Sequence, residues 1–200
     1  MAKGKRDDRC LLIAHADTYF DEFYQENVVE SDIEYKEGNY VSNSDVVGIG
    51  ADDRAGCAIL WLLRDSGHSL LILDGEEHGQ IGAKYLRDSN RDLFNEINEH
   101  SFLLQLDRRG RKEYKYYHLP VGEDFIRYIE DATKFTFTQG KGKTDICTLC
   151  EKACGVNLSI GYYDEHTPDE RLNYNEWLDT YNVVKGMIEK PLKKYKLKSE

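Results

Sequence analysis

The sequence predicts an α/β fold, a three-layer αβα sandwich around a mostly parallel mixed sheet. Short apolar runs alternate with stretches of helical period along most of the chain, the signature of strands joined by crossover helices. The length of 200 residues and a hydrophobic content of 40% suffice for one substantial core. No internal repeat, low-complexity tract or Pro/Gly/Ser-rich linker interrupts the pattern, so residues 1–200 read as a single domain.

In order along the chain, CLLIA (10–14) reads as the first strand. Residues 19–48 are acidic, tyrosine-rich and without helical period; turn signals at Gly38-Asn39 and Asn43 make them a hairpin or irregular segment over a sheet edge. A helix near 54–66 precedes the strand SLLILD (69–74), and a helix near 80–88 precedes the strand SFLLQLD (101–107). Helices near 121–133 and 144–154 lead to the strand GVNLSIG (155–161), and a last helix covers about 174–190. The basic end, 191–200, reads as a solvated tail.

Composition excludes several functions. No run approaches the roughly 18–20 apolar residues of a membrane span, and the basic start MAKGKRDDR leads into too short an apolar segment for a signal peptide. The expectation is a soluble, cytoplasmic protein. A formal charge of −10 argues against a binder of nucleic-acid backbone. Five cysteines, an odd number, favour reduced thiols. Cys147, Cys150 and Cys154 share one face of the expected helix and have no obvious fourth ligand nearby, so they read as core residues rather than a metal cluster.

In an open α/β sheet ligands gather at the carboxyl ends of strands, and those ends are chemically marked. His15 and Asp17 follow the first strand; Glu76 and Glu77 follow the second, in LILDGEEHGQIGA; Asp107 follows the third, and His166, in YYDEHTPDE, follows the fourth. Asp52 and Asp53 stand ahead of the first helix, in GIGADDRAG. Each alone is an ordinary turn or cap residue, but together they offer imidazole and carboxylate ligands to zinc, with manganese or cobalt as alternatives. Adjacent glutamates repel unless a cation intervenes. One can ligate while its neighbour acts as general base. Asp17 is placed to accept a hydrogen bond from the second ring nitrogen of His15.

These residues resemble the co-catalytic dizinc exopeptidase superfamily, which includes peptidase T, the tetrahedral aminopeptidases and the leucine-type aminopeptidases. The resemblance runs through H-x-D at His15 and Asp17, GADDRAG at 50–56, GEE at 75–77, Asp107 of LDRRG, Thr144-Asp145 at a helix start, and His166 of EHTPDE. It implies that His15 and Asp107 hold one metal, Glu77 and His166 the other, and that Asp52 bridges both. Glu76 is then the base that activates a metal-bridging water, with Asp17 as a supporting catalytic residue. Asp53 is a second choice of ligand, or a helix cap. The implied activity is hydrolysis of a terminal peptide or amide bond in a short peptide or amino-acid conjugate, aminopeptidase-like. Alternatives are a dizinc deacylase or amidohydrolase, and a metal-stabilised binding protein without turnover.

Only 58 residues separate Asp107 from His166, and they carry regular sheet-and-helix signals, so the lid or dimerisation insert of peptidase T and the tetrahedral aminopeptidases has no room. The chain reads as a minimal catalytic domain, which self-association could cover. Arg108 is a candidate clamp for a substrate carboxylate or phosphate, with Arg109 beside it, or both are surface arginines. Thr144 and Asp145 stand beside the substrate or cap a helix, and Tyr162 and Tyr163 line the pocket wall or lie half-buried.

Overall fold

Strand β1 (Leu11–His15) is buried along its whole length, which demands neighbours on both edges and cover on both faces. The computed structural model describes residues 1–20, 31–140 and 142–198, and within them both demands are met. Two further strands, β2 (Ile33–Lys36) and β3 (Asn39–Ser42), lie outside the central sheet. The central strands β4 (Ser69–Leu73) and β5 (Leu103–Arg108) pair in parallel with the two edges of β1. Beyond β5 come β8 (Gly155–Ser159), parallel to it, then β6 (Glu113–Lys115), antiparallel to β8, and β7 (Thr136–Phe137). The six-stranded order is β4-β1-β5-β8-β6-β7, a mostly parallel mixed sheet as the sequence predicts.

Helix α1 (Ala51–Leu62) lies against β1 and β5. α2 (Ile81–Ser89) contacts α3 (Arg91–Ile97), and α4 (Glu123–Thr133) presents Phe125 and Ile129, one turn apart, to the core. α5 (Asp145–Leu149) sits on β5 and β8 and against α2. The last helix, α6 (Tyr174–Ile188), contacts α4 and is capped by the Asn173 side chain, which accepts from the Glu176 N–H. Their buried faces join the strands in one hydrophobic cluster.

Three local readings need correction. The helix expected over 144–154 stops at Leu149, because Asn98 Oδ1 captures the N–H groups of Glu151, Lys152 and Ala153 at 2.9, 2.8 and 3.3 Å. Helix α3 was too short to show a period; Asn90 caps it through the Leu93 N–H. The basic end is docked rather than solvated over 191–198: Leu192 and Tyr195 are buried, Tyr195 exchanges backbone bonds with Ser101 and Cys154, and Lys193, Lys194 and Lys196 stay exposed. Apolar residues between the lysines hold it down.

The segment 19–48 contributes the hairpin β2–β3, turned at Glu37-Gly38 where both residues have positive φ, 49° and 86°. Residues 21–30 of that reading lie outside the described residues. β3 pairs with β10 (Arg171–Asn173) and β10 with β9 (Tyr162–Tyr163), giving a second, antiparallel sheet absent from the sequence reading. Among the described residues no helix is long and apolar enough to cross a membrane.

Two buried imidazoles bind the core together in their neutral form. His68 accepts the Cys10 N–H at 3.0 Å on Nδ1 and donates from Nε2 to the Ile188 carbonyl at 2.9 Å. His100 accepts the Ser69 hydroxyl at 2.8 Å on Nε2 and donates from Nδ1 toward Ile97. Burial lowers both pKa values from 6.5. An unfolded imidazole takes up its proton near pH 6.5 while the folded one resists, so the contribution of these two histidines is constant above that pH and falls on acidification below it. The share of His68 is read by difference: in urea unfolding at pH 7.5 and 5.5, the change in stability on acidification should be less favourable in the wild type than in His68→Gln.

Candidate active site

At the end of β1, His15 is only 1% exposed. Its Nδ1 lies 2.9 Å from the backbone oxygen of Asp17 and donates to it, which turns Nε2 toward the acids of the site. That Nε2 is 3.1 Å from Asp52 Oδ1 and 3.5 Å from Asp107 Oδ1. The other oxygen of Asp52 is 3.2 Å from His166 Nε2, and the same nitrogen is 2.8 Å from Glu77 Oε1. Asp52 therefore stands between the imidazoles with one oxygen toward each. His15, Asp52 and Glu77 bring ligand atoms within 4.8 Å of one another, as do His15, Asp53 and Asp107.

The loop before α1 sets Asp52 in that position. Gly50 has φ 62°, the Asp52-Asp53 peptide is cis, and neither aspartate has helical angles. Glu170, buried at 1% exposure, accepts the Gly50 N–H at 2.6 Å and the Asp52 N–H at 3.0 Å. Asp53 accepts the N–H of Gly56 at 3.0 Å and of His15 at 3.2 Å, which caps the continuing helix and ties it to β1. Gly56 is required there, since a Cβ would come within 2.4 Å of the Asp53 carboxylate and 2.2 Å of the Leu106 carbonyl. With both its oxygens on amides, Asp53 is less available than Asp52 to a ligand.

Asp17 does more than neighbour His15. Its carboxylate is 3.4 Å from His15 Nδ1, farther than its own carbonyl, and it accepts the N–H of Glu76 and of Glu77 at 3.1 Å each. It clamps the turn after β4 that carries both glutamates. Asp107 Oδ2 accepts from the Thr144 hydroxyl at 2.7 Å and the Gln105 amide at 2.9 Å, while Oδ1 accepts from the Tyr162 hydroxyl at 3.2 Å. Thr144 thus makes no side-chain cap to α5; it orients Asp107.

Acidic groups outnumber bases at this edge, and among the described residues no lysine or arginine pairs with any of them. Burial and then Asp107 push Glu76 up to about 9; burial and then Asp52 push Asp107 up to about 6. Burial and then Asp107 raise Asp145 to about 7, and neither of its buried oxygens has a hydrogen-bond partner. Burial opposes a charge on His15, but Asp107, Asp17 and Asp52 outweigh it and hold the imidazole well above its usual range. Asp52 and Glu77 raise His166 to about 10. Crowded carboxylates, an orphaned buried acid and two imidazoles sharing one aspartate fit divalent cations of the zinc, manganese or cobalt kind.

Other candidates are placed elsewhere. Arg108 bonds Glu113 at 2.9 Å across the β5–β6 connection, and the exposed Arg109 bonds half-buried Glu165 at 3.1 Å. Tyr163 donates to Glu176 on α6, while its neighbour Tyr162 reaches Asp107; successive strand residues point to opposite faces. Cys150 and Cys154 adjoin the core as expected, whereas Cys147 lines a cavity of about 470 Å³ beside Glu76 and Glu77. Glu170 was missed because its value depends on the packing of residues 48–52 against the His166 loop; its position four residues after His166 is the one trace of it in the sequence.

No protein-family model and no curated protein matches the chain. Solved structures share its fold. The aminopeptidase PepT from Bacillus cereus superposes with a TM-score of 0.69 at 16% identity, covering 94% of this chain and 82% of that one. A tripeptidase from Staphylococcus aureus gives 0.66 at 15% identity, with the same coverage of 94% and 82%. The Pyrococcus horikoshii TET1 peptidase, which can assemble into a tetrahedron or a large octahedral shell, gives 0.59 at 16% identity over 80% of this chain and 53% of that one. At such identities the likeness is one of fold.

Replacing Glu170 with alanine leaves two N–H groups of the Asp52 loop without their acceptor. Buried unsatisfied donors cost about 1–3 kcal/mol each, so Glu170→Ala should lower the unfolding free energy by at least that much in denaturant titrations, and Glu170→Gln, which keeps one acceptor, by less.

Proposed function

We propose that this chain is a two-metal hydrolase that cleaves a terminal peptide or amide bond, in the manner of an aminopeptidase. The observation that carries the reading is Asp52, with one oxygen toward His15 and the other toward His166. Asp107 flanks the first imidazole and Glu77 the second, so His15 and Asp107 would hold one cation, His166 and Glu77 the other, and Asp52 both. Cations held there would supply Lewis-acid polarisation of the scissile carbonyl and an acidified nucleophilic water. The aminopeptidase and tripeptidase structures that share the fold support the peptidase part of the reading.

The chain's own residues supply the rest. Glu76 borders the cavity next to Glu77, held by the amide clamp of Asp17. Its carboxylate takes the proton of the attacking water and returns it to the leaving nitrogen; cations held beside it would favour the ionised form that burial opposes. Thr144, Gln105 and Tyr162 keep Asp107 directed at His15. The backbone carbonyl of Asp17 keeps His15 Nε2 turned toward the acids of the site.

Metal analysis of the purified protein should find two equivalents of divalent metal, and an aminoacyl-anilide panel should be hydrolysed in preference to N-acyl amino acids. Glu76→Gln should retain the metal and lose roughly 10²–10⁴-fold in kcat; turnover that survives the change would remove Glu76 from the mechanism. Metal bound with no turnover on any panel member would favour a binding protein. Chelation should lower the Tm, and metal at 100 times its Kd should restore about 2.7 kcal/mol of stability.

A further inference from the structure

The cavity beside Glu76 and Glu77 is basic on its other sides. Lys84 and Arg87 are three residues apart and so share a face of α2, and Lys143 enters from the loop ahead of α5. Helices α2 and α5 are in contact, and their walls are tied by the Thr148 hydroxyl, which donates to Gln80 at 2.6 Å. Among the described residues neither Lys84 nor Lys143 forms an ion pair, and Arg87 spends only Nε and Nη2 on Asp88. Cations gathered from two elements at one opening run against the −10 charge of the chain. The acids that share the cavity, Glu76 and Glu77, belong to the centre already described.

From this convergence we infer that the cavity receives a carboxylate of the substrate between Lys84 and Lys143, so that the substrate is an anionic short peptide or amino-acid conjugate. A volume of about 470 Å³ lies within the ordinary range for small-ligand pockets. The carboxylate comes from an acidic side chain or from a free C-terminus. The substrate assignment rests on the hydrolase reading; the charge preference of the cavity stands apart from it.

Cys147 lines the cavity and is half-buried, which gives a probe independent of turnover. On the protein as purified, alkylation of Cys147 by iodoacetate and by iodoacetamide is followed by peptide mass spectrometry, with urea-unfolded protein as reference. The folded-state ratio of the two rates should exceed the unfolded ratio by roughly threefold to tenfold, the scale of two exposed charges. It should return to the reference in the double variant Lys84→Gln, Lys143→Gln. A ratio at or below the reference, or one the variant leaves unchanged, overturns the inference, as does a Cys147 inert to both reagents in a protein whose hydrolysis is blind to substrate charge.

Paired substrates then locate the carboxylate: a glutamate against a glutamine peptide, and a free against an amidated C-terminus. Whichever pair is discriminated in kcat/KM should lose that preference in the double variant. Anion-selective labelling without any hydrolysis would sink the hydrolase reading and leave a carboxylate site. Hydrolysis without charge preference in either pair would leave the hydrolase and overturn the carboxylate site.

Discussion

Carboxylates crowded at one edge of a sheet repel each other, and the architecture around His15 answers that repulsion one group at a time. Asp17, Asp53 and Glu170 are each satisfied by pairs of backbone N–H groups. Asp52, Glu77 and Asp107 face imidazole nitrogens instead. The first set holds loops and the second faces the two histidines, a division that residue type does not reveal because all six are simple acids. Glu76 and Asp145 belong to neither set, and burial first and the charge of Asp107 second raise the pKa of both.

The parallel sheet makes this concentration feasible. Strands β1, β4, β5 and β8 run side by side in one direction, so residues that follow them in sequence emerge at one edge in space. The helix start of α1 is brought to the same edge by its contact with β1 and β5. A hydrophobic core buried on both faces of the sheet resists displacement of these strand ends, and ligand atoms from segments as distant as residues 15 and 166 meet within hydrogen-bond reach of Asp52.

The small second sheet delivers the late histidine. His166 sits in the loop between β9 and β10, and β10 is anchored by the hairpin β2–β3. The ring of His166 stacks on Tyr19, with centroids 4.7 Å apart. The acidic, tyrosine-rich stretch early in the chain thus buttresses the ligand loop, while α2 and α5 shape the opposite, basic side of the opening. Elements of separate origin therefore surround the site.

The central strands, the α/β class and the set of residues at strand ends were determined by the sequence itself, because apolar runs and helical period are local signals and a carboxylate after a buried strand is visible without coordinates. Partnership was decided only in three dimensions. Whether Asp17 serves His15 or the amides of Glu76 and Glu77, whether Tyr162 or Tyr163 reaches Asp107, and whether 150–154 stays helical depend on atoms supplied by distant segments. Glu170 shows the same limit from the other side. Its role exists because the Asp52 loop folds against it; a hydrogen bond between residues 118 positions apart leaves no periodic trace in the chain.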